Sequence, residues 1–290
     1  MPFYCGLSVA GLRIRMETEH PLTRNREFLP FLTEEPGQDI LGIFRQVSDL
    51  PLVPDCVLHT GLCHCVTRTP EGQSMTYFRE APDSKNFYAC AVESHAGDVI
   101  YVDYLPDYRH CVSEVRNCFY HLGLESILLR RDRLCLHASC VDTHLGGLLF
   151  SGVSGIGKST QAELWCRFRG ARQINGDRPI LSREGSGWLA WGSPYAGSSR
   201  CHVNDKCPVT AVLLLGQGKD CVLRRLTPAQ AFRGIWEGLT IHSYDPAFVE
   251  KASALAVELA CAVPVFRYDC TPDARAVDYL EKTLGKELSL

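Results

Sequence analysis

The chain has 290 residues, of which 46% are hydrophobic, with a formal net charge of -3. Length and composition predict a sizeable buried core in one large or two modest domains, and the charge excludes a general electrostatic attraction to nucleic acid or anionic membrane. No stretch reaches the roughly 20 apolar residues of a membrane span, and Met1 to Ala10 lacks the charged start and apolar core of a secretory signal, so a cytoplasmic protein is expected. In that compartment the 15 cysteines read as reduced, mostly buried small hydrophobes rather than a disulfide framework. Cys63-His64-Cys65 has no second pair at zinc-like spacing, and Cys135 with Cys140 offers no better ligand set.

In chain order, residues 1–110 carry β-branched, aromatic and alternating segments at Tyr4 to Arg15, Cys56 to Arg68, Ser74 to Arg79, Phe87 to Glu93 and Val99 to Tyr104. Turn residues separate several of them, which predicts a smaller, mainly β domain suited to binding an acceptor or partner. Apolar residues near helical spacing between Ser113 and Arg130 predict a bridging helix over 111–130, with Gly123 weakening its middle.

Residues 131–290 change pattern. Strand-like runs at Leu134 to Val141 and Gly147 to Phe150 lead into a glycine-rich loop and a helix from Ser159 to Phe168. Further strands are expected at 173–174, 180–181, 188–191, 209–215 and 221–226, and helices at 228–238, 246–261 and 272–284.

The loop Gly152-Val-Ser154-Gly155-Ile156-Gly157-Lys158-Ser159-Thr160 fits G-x-x-x-x-G-K-[ST]. In this motif backbone N–H groups wrap phosphates, the lysine neutralises them and the hydroxyl holds magnesium. Such a loop does not separate a kinase from a GTPase, a motor or a nucleotide sensor, so the groups that hold the metal and take the acceptor proton must be sought elsewhere. Asp177, in Ile174-Asn-Gly-Asp177-Arg178, is the first candidate for the metal, against a plain turn aspartate. His137 lies upstream on a strand-like run, where a packed core histidine is the competing reading. Arg178 and Arg200 are candidate cations for developing phosphoryl charge, and Trp191 to Gly197 is a candidate pocket loop.

Taken in order, Leu136-His137-Ala-Ser139, the strand entering Ser151 to Thr160, and Gly176-Asp177-Arg178 resemble the HPr kinase/phosphorylase and phosphoenolpyruvate carboxykinase superfamily over about residues 130 to 285. The resemblance implies an α/β fold: a P-loop catalytic domain of that type, preceded by the mainly β domain. It also implies an ATP- and Mg2+-dependent kinase acting on a hydroxyl of a peptide, protein or small metabolite. Lys158 would contact the β and γ phosphates, Ser159 and Asp177 the magnesium ion, and His137 the transferred phosphate or a metal; Thr160 would support the loop's hydroxyl set. The first aspartate of the family's acidic pair is replaced by Gly176, leaving Asp177, Asp142 or another carboxylate as general base. Self-association follows from the resemblance alone. The reading from another class is a non-catalytic nucleotide-binding regulator or scaffold.

Overall fold

A computed structural model describes residues 1–288 apart from Pro36, Ala196 and the side chain of Ser198. The chain divides into two compact units, residues 1–127 and 128–290.

The first unit is built on an eight-stranded mixed sheet of order β1-β2-β3-β8-β7-β6-β5-β4. Its strands are β1 (Phe3–Val9), β2 (Leu12–Thr18), β3 (Ile40–Gln46), β4 (His59–Thr60), β5 (His64–Arg68), β6 (Ser74–Phe78), β7 (Ala89–Glu93) and β8 (Val99–Tyr104). The single run expected at Tyr4 to Arg15 is a hairpin: Ala10 and Gly11 both take positive φ, 49° and 74°, as a two-residue turn between right-twisted strands requires. Cys56 to Arg68 likewise breaks into two short strands, and β3 was not expected at all.

The expected bridging helix is two helices, α1 (Val115–His121) and α2 (Leu124–Arg130). They part at Gly123, where φ is 63°, a conformation that ends a helix and that glycine adopts without strain. The boundary between the units falls within α2. Helix α1 packs on the sheet through His121, whose ring lies 4.5 Å from that of Phe78 on β6, and its Phe119 ring lies 5.1 Å from Phe28 in the short turn of helix Arg26–Phe31. The fully buried His121 sits between a Tyr88 hydroxyl at 2.9 Å and the Asn117 carbonyl oxygen at 2.6 Å.

The second unit contains β9 (Arg133–Cys135), β10 (Ala138–Thr143), β11 (Gly146–Ser151), α3 (Lys158–Arg169), β12 (Arg172–Asn175), β13 (Ile180–Glu184) and β14 (Gly187–Trp191). These are followed by β15 (Lys206–Gln217), β16 (Val222–Arg225), α4 (Pro228–Gly238), α5 (Pro246–Ala262), β17 (Val265–Cys270) and α6 (Ala274–Leu288). All nine strands join one sheet. The long β15 runs parallel to β11 on one side; on the other it pairs first with β14 and then with β17.

Alternation along the strands builds a core on each face. Leu148, Phe150, Leu213 and Phe266 join Trp165 of α3 and Leu280 of α6, whereas Leu149, Val212 and Val265 join Ile235 of α4 and Leu259 of α5. The expected strand at Leu134 to Val141 is interrupted: β9 pairs with β13, β10 pairs with β11 and β12, and the chain crosses between them at Leu136 and His137. Among the described residues, no helix is long and apolar enough to cross a membrane.

Candidate functional site

Strand direction decides which loops meet. Strand β10 is antiparallel to both β11 and β12, and β15 is parallel to β11 and β17. The C-terminal ends of β11, β12, β15 and β17 therefore share one edge with the start of β10. That edge is where ligands bind in open α/β sheets. The loop 152–157, the turn after Asn175 and the crossover at His137 all lie there.

The glycine-rich loop takes shape through Gly152, Gly155 and Gly157, at φ 141°, 78° and 112°, where an L side chain would be strained. Ile156 is partly buried against the core around Trp165 and anchors the loop from within, while Val153, Ser154 and Gly155 are exposed. Helix α3 begins after Gly157 with no side-chain cap, so its first N–H groups face the loop mouth with the positive end of the helix dipole. Lys158 is buried at 8% exposure. Its Nζ donates to the carbonyl oxygens of Gly152 at 3.0 Å and Val153 at 3.1 Å, which centres the ammonium within the loop. Burial lowers its pKa from the ordinary lysine value, and the attraction of Asp177 opposes the shift. Ser159 is half-buried and Thr160 exposed on the first turn.

His137 and Asp177 come together: Nδ1 lies 3.0 Å from Oδ1, with both side chains about one-third exposed. This is ion-pair distance without the angular geometry of a hydrogen bond. Burial, and next the Lys158 charge, lower the His137 pKa from the ordinary histidine value, while Asp177 pulls it back. The backbone fixes both residues, since the His137 N–H donates to the Gly238 carbonyl at 2.7 Å and the Ala138 N–H to the Asp177 carbonyl at 2.9 Å. Gly238 is the last residue of α4, so that helix also buttresses the site. Arg178 is held by a hydrogen bond to Thr240 Oγ1 at 2.6 Å, with its Nε 3.8 Å from Asp177 Oδ2.

The residue that sequence reasoning passed over is Asn175, which is fully buried. Its Oδ1 accepts from the N–H groups of Asp177 at 2.9 Å and Arg178 at 2.7 Å, forming the Asx turn that presents Asp177. Its Nδ2 donates to the carbonyl oxygens of Ser193 at 3.2 Å and Tyr195 at 3.0 Å. The signal was available, because Asn-Gly-Asp after an apolar run is turn chemistry, but its partners lie eighteen to twenty residues away.

Those partners belong to the Trp191 to Gly197 stretch, which thus folds against the turn. Gly197 abuts Asp177 so closely that a Cβ there would lie 2.9 Å from the Asp177 Cβ. Ala196 of that stretch lies outside the described residues. One other sequence candidate stays apart from the pair. Asp142 sits four residues along β10 from Ala138, roughly 13 Å at strand rise, and is bound to Arg172 at 3.1 Å; this removes it as a general base. Arg200 is exposed and carries a positive φ of 53°. At Gly176, where the resembling family has an acid, the main-chain carbonyl instead accepts from the buried Ser139 hydroxyl at 2.8 Å.

A buried basic group centred in a glycine-rich loop at an uncapped helix N-terminus, with a carboxylate and an imidazole beside it, fits a phosphate chain carrying a divalent cation. Lys158 and the α3 amides would hold phosphate oxygens; Ser159 and Asp177 offer the hard oxygen ligands that magnesium prefers.

No family model matches the chain, and no curated protein matches it. Among solved structures the chain is similar to the Hpr(Ser) kinase/phosphatase from Coxiella burnetii. That similarity has a TM-score of 0.34 and 14% sequence identity, and it covers 54% of this chain and 99% of that one. The structural relationship is weak.

Proposed function

We propose that this protein is an ATP- and Mg2+-dependent phosphotransferase of the HPr-kinase-like type that transfers the γ-phosphate to a hydroxyl of a peptide, protein or small metabolite. The observation that carries the reading is the convergence of Lys158, His137 and Asp177 at the sheet edge where the three-glycine loop opens.

In the proposed reaction the acceptor oxygen forms a bond to the γ-phosphorus as the bond to the β,γ-bridging oxygen breaks, leaving ADP. The acceptor proton passes to His137 or to Asp177. Burial favours the neutral imidazole, the form able to accept a proton. Lys158 offsets negative charge on the phosphates, and Arg178 stands one residue from Asp177 to support it. A bound magnesium ion would supply further charge neutralisation. Gly176 need not be an acid for this chemistry, because phosphoryl transfer depends mostly on positioning and charge.

The second reading, a nucleotide-binding regulator without transfer, is favoured by one feature: position 176 supplies a carbonyl bonded to Ser139 rather than a carboxylate.

The test is a magnesium-dependent ATP titration of wild type, Lys158→Ala and Asp177→Asn, with product analysis against hydroxyl acceptors in cell extract. Phosphotransferase function predicts transfer by wild type and a loss of about a hundredfold or more in Lys158→Ala. ATP binding without transfer to any acceptor selects the regulator, and no nucleotide binding by wild type rejects both.

A further inference from the structure

The β11 residue that enters the glycine-rich loop begins a row of side chains crossing the sheet. By register, Ser151 faces Leu214, Leu214 faces Arg267, and Arg267 faces Arg224. Facing residues share one face of a sheet. Helix α4 covers the start of this row. A Cβ at Gly238 would lie 3.1 Å from Ser151 Oγ, and one at Gly234 would lie 2.0 Å from Leu214 Cδ1. Beyond Leu214 the row runs out from under α4, between its Arg233 and Glu237 and the edge strand β16. This cleft of about 480 Å³ is lined by Arg224, Arg233 and Arg267.

The charges do not cancel. Asp269 holds Arg267 at 2.9 Å and Arg224 at 3.1 Å, and Glu237 is the other carboxylate at the cleft. Arg224, Arg233 and Arg267 thus set three guanidinium groups against two carboxylates, whereas Arg225 pairs with Phe266 and belongs to the other face of the sheet; among the described residues Arg233 has no carboxylate partner.

Arg267 leans along the sheet with its partner. A Cβ at Gly216 would lie 2.0 Å from Asp269 Oδ1 and 2.2 Å from Arg267 Nη2, so the Arg267–Asp269 pair lies across the bare backbone at 216, two residues further along β15 than Leu214. That direction leads to the edge where the glycine-rich loop opens. Two strand spacings, roughly 10 Å, separate Arg267 from Ser151. An extended peptide with its hydroxyl at the loop would bring side chains two to four residues away into the cleft, at about 3.3 Å per residue. Guanidinium groups recognise carboxylates and phosphates by paired, planar hydrogen bonds.

We propose that this arginine cleft binds acidic side chains flanking the acceptor hydroxyl, so that the phosphoryl acceptor is an acidic segment of a protein. The proposal rests on the phosphotransferase reading for the hydroxyl, while the cleft's affinity for acidic peptide is measurable without any transfer.

The experiment uses the full chain and three fluorescein-labelled nonapeptides: a central serine flanked by four glutamates on each side, the same peptide with lysines, and one with glycines. Anisotropy titrations follow wild type, the exposed charge reversal Arg224→Glu with Arg233→Glu, and Lys158→Ala, at low and moderate salt. The expected result is binding of the glutamate peptide at least about tenfold tighter than either control, weakened by salt and lost by about tenfold or more in the double reversal. Lys158→Ala retains that binding while losing ATP. Equal affinity of wild type and double reversal, equal binding of the three peptides, or no binding of the glutamate peptide by wild type would each overturn the proposal. Binding of inorganic tripolyphosphate with no binding of the glutamate peptide overturns it too, and assigns the cleft to a small polyanion. If Lys158→Ala still binds ATP normally, the phosphotransferase reading fails while the peptide result stands.

Discussion

Replacing Asn175 with alanine tests how the site is held. The amide of Asn175 is fully buried; it receives two main-chain N–H groups and supplies two main-chain carbonyls. Alanine leaves all four without that partner. A buried polar group without a partner costs about 1–3 kcal/mol. The Asp177 and Arg178 amides lie in a partly exposed turn that water reaches, so the low end applies to them, and about 3 kcal/mol in total is expected. For a unit spanning Leu128–Leu290, that corresponds to a fall in Tm of roughly 6–12 °C at 2–4 °C per kcal/mol. Asp177→Asn provides the contrast, because it keeps the backbone bonds of the turn while altering the group beside His137, and its Tm should change little. Thermal unfolding with ATP titration of both variants is the assay. An Asn175→Ala protein within about 0.5 kcal/mol of wild type would refute the claim that this amide organises the turn.

Three further outcomes follow from packing and charge. Gly192→Ala places a Cβ 1.7 Å from the Val203 carbonyl oxygen and 3.0 Å from that of Ile174; because both are backbone atoms, a loss of about 2–3 kcal/mol is expected in urea unfolding. His121 is pushed down to about 4 by burial. Between pH 6.5 and that value the unfolded chain therefore binds the extra proton, and stability is lost as pH drops through this window, by about 3 kcal/mol in all. His121→Gln should flatten that part of the denaturant-midpoint profile between pH 7 and 4.5, and identical profiles would contradict it. If His137 takes the acceptor proton, transfer should be constant above neutrality and decline through an acidic limb centred below the ordinary 6.5. A limb centred above that value, or one surviving in His137→Ala, would exclude the imidazole as base.

Local chemistry made some of this legible in advance. The glycine-rich loop could be read because its glycine spacing, its lysine and its following helix are all contiguous, and the residues 228–238 form the helix expected from them, capped by Thr227 with Gln230. Short strands were harder to read. The run Val265 to Cys270 places Val265 and Phe266 in cores on opposite faces, so it shows no clean alternation, yet it is the strand that carries Arg267 and Asp269. At Leu134 to Val141 the composition reads as one strand, and only pairing with different partners splits it and frees His137 at the break.

The sequence by itself determined the glycine-rich loop and the acid, imidazole and guanidinium groups available around it, because these depend on residue type and short-range spacing. Tertiary structure decided which of them meet. Parallel and antiparallel pairing around β10 and β11 brought His137 to Asp177 and carried Asp142 to the far end of the strand. Strand register aligned Ser151 with Leu214, Arg267 and Arg224. Register arises from long-range hydrogen bonding and two-faced burial, and neither is written in any one segment of the chain.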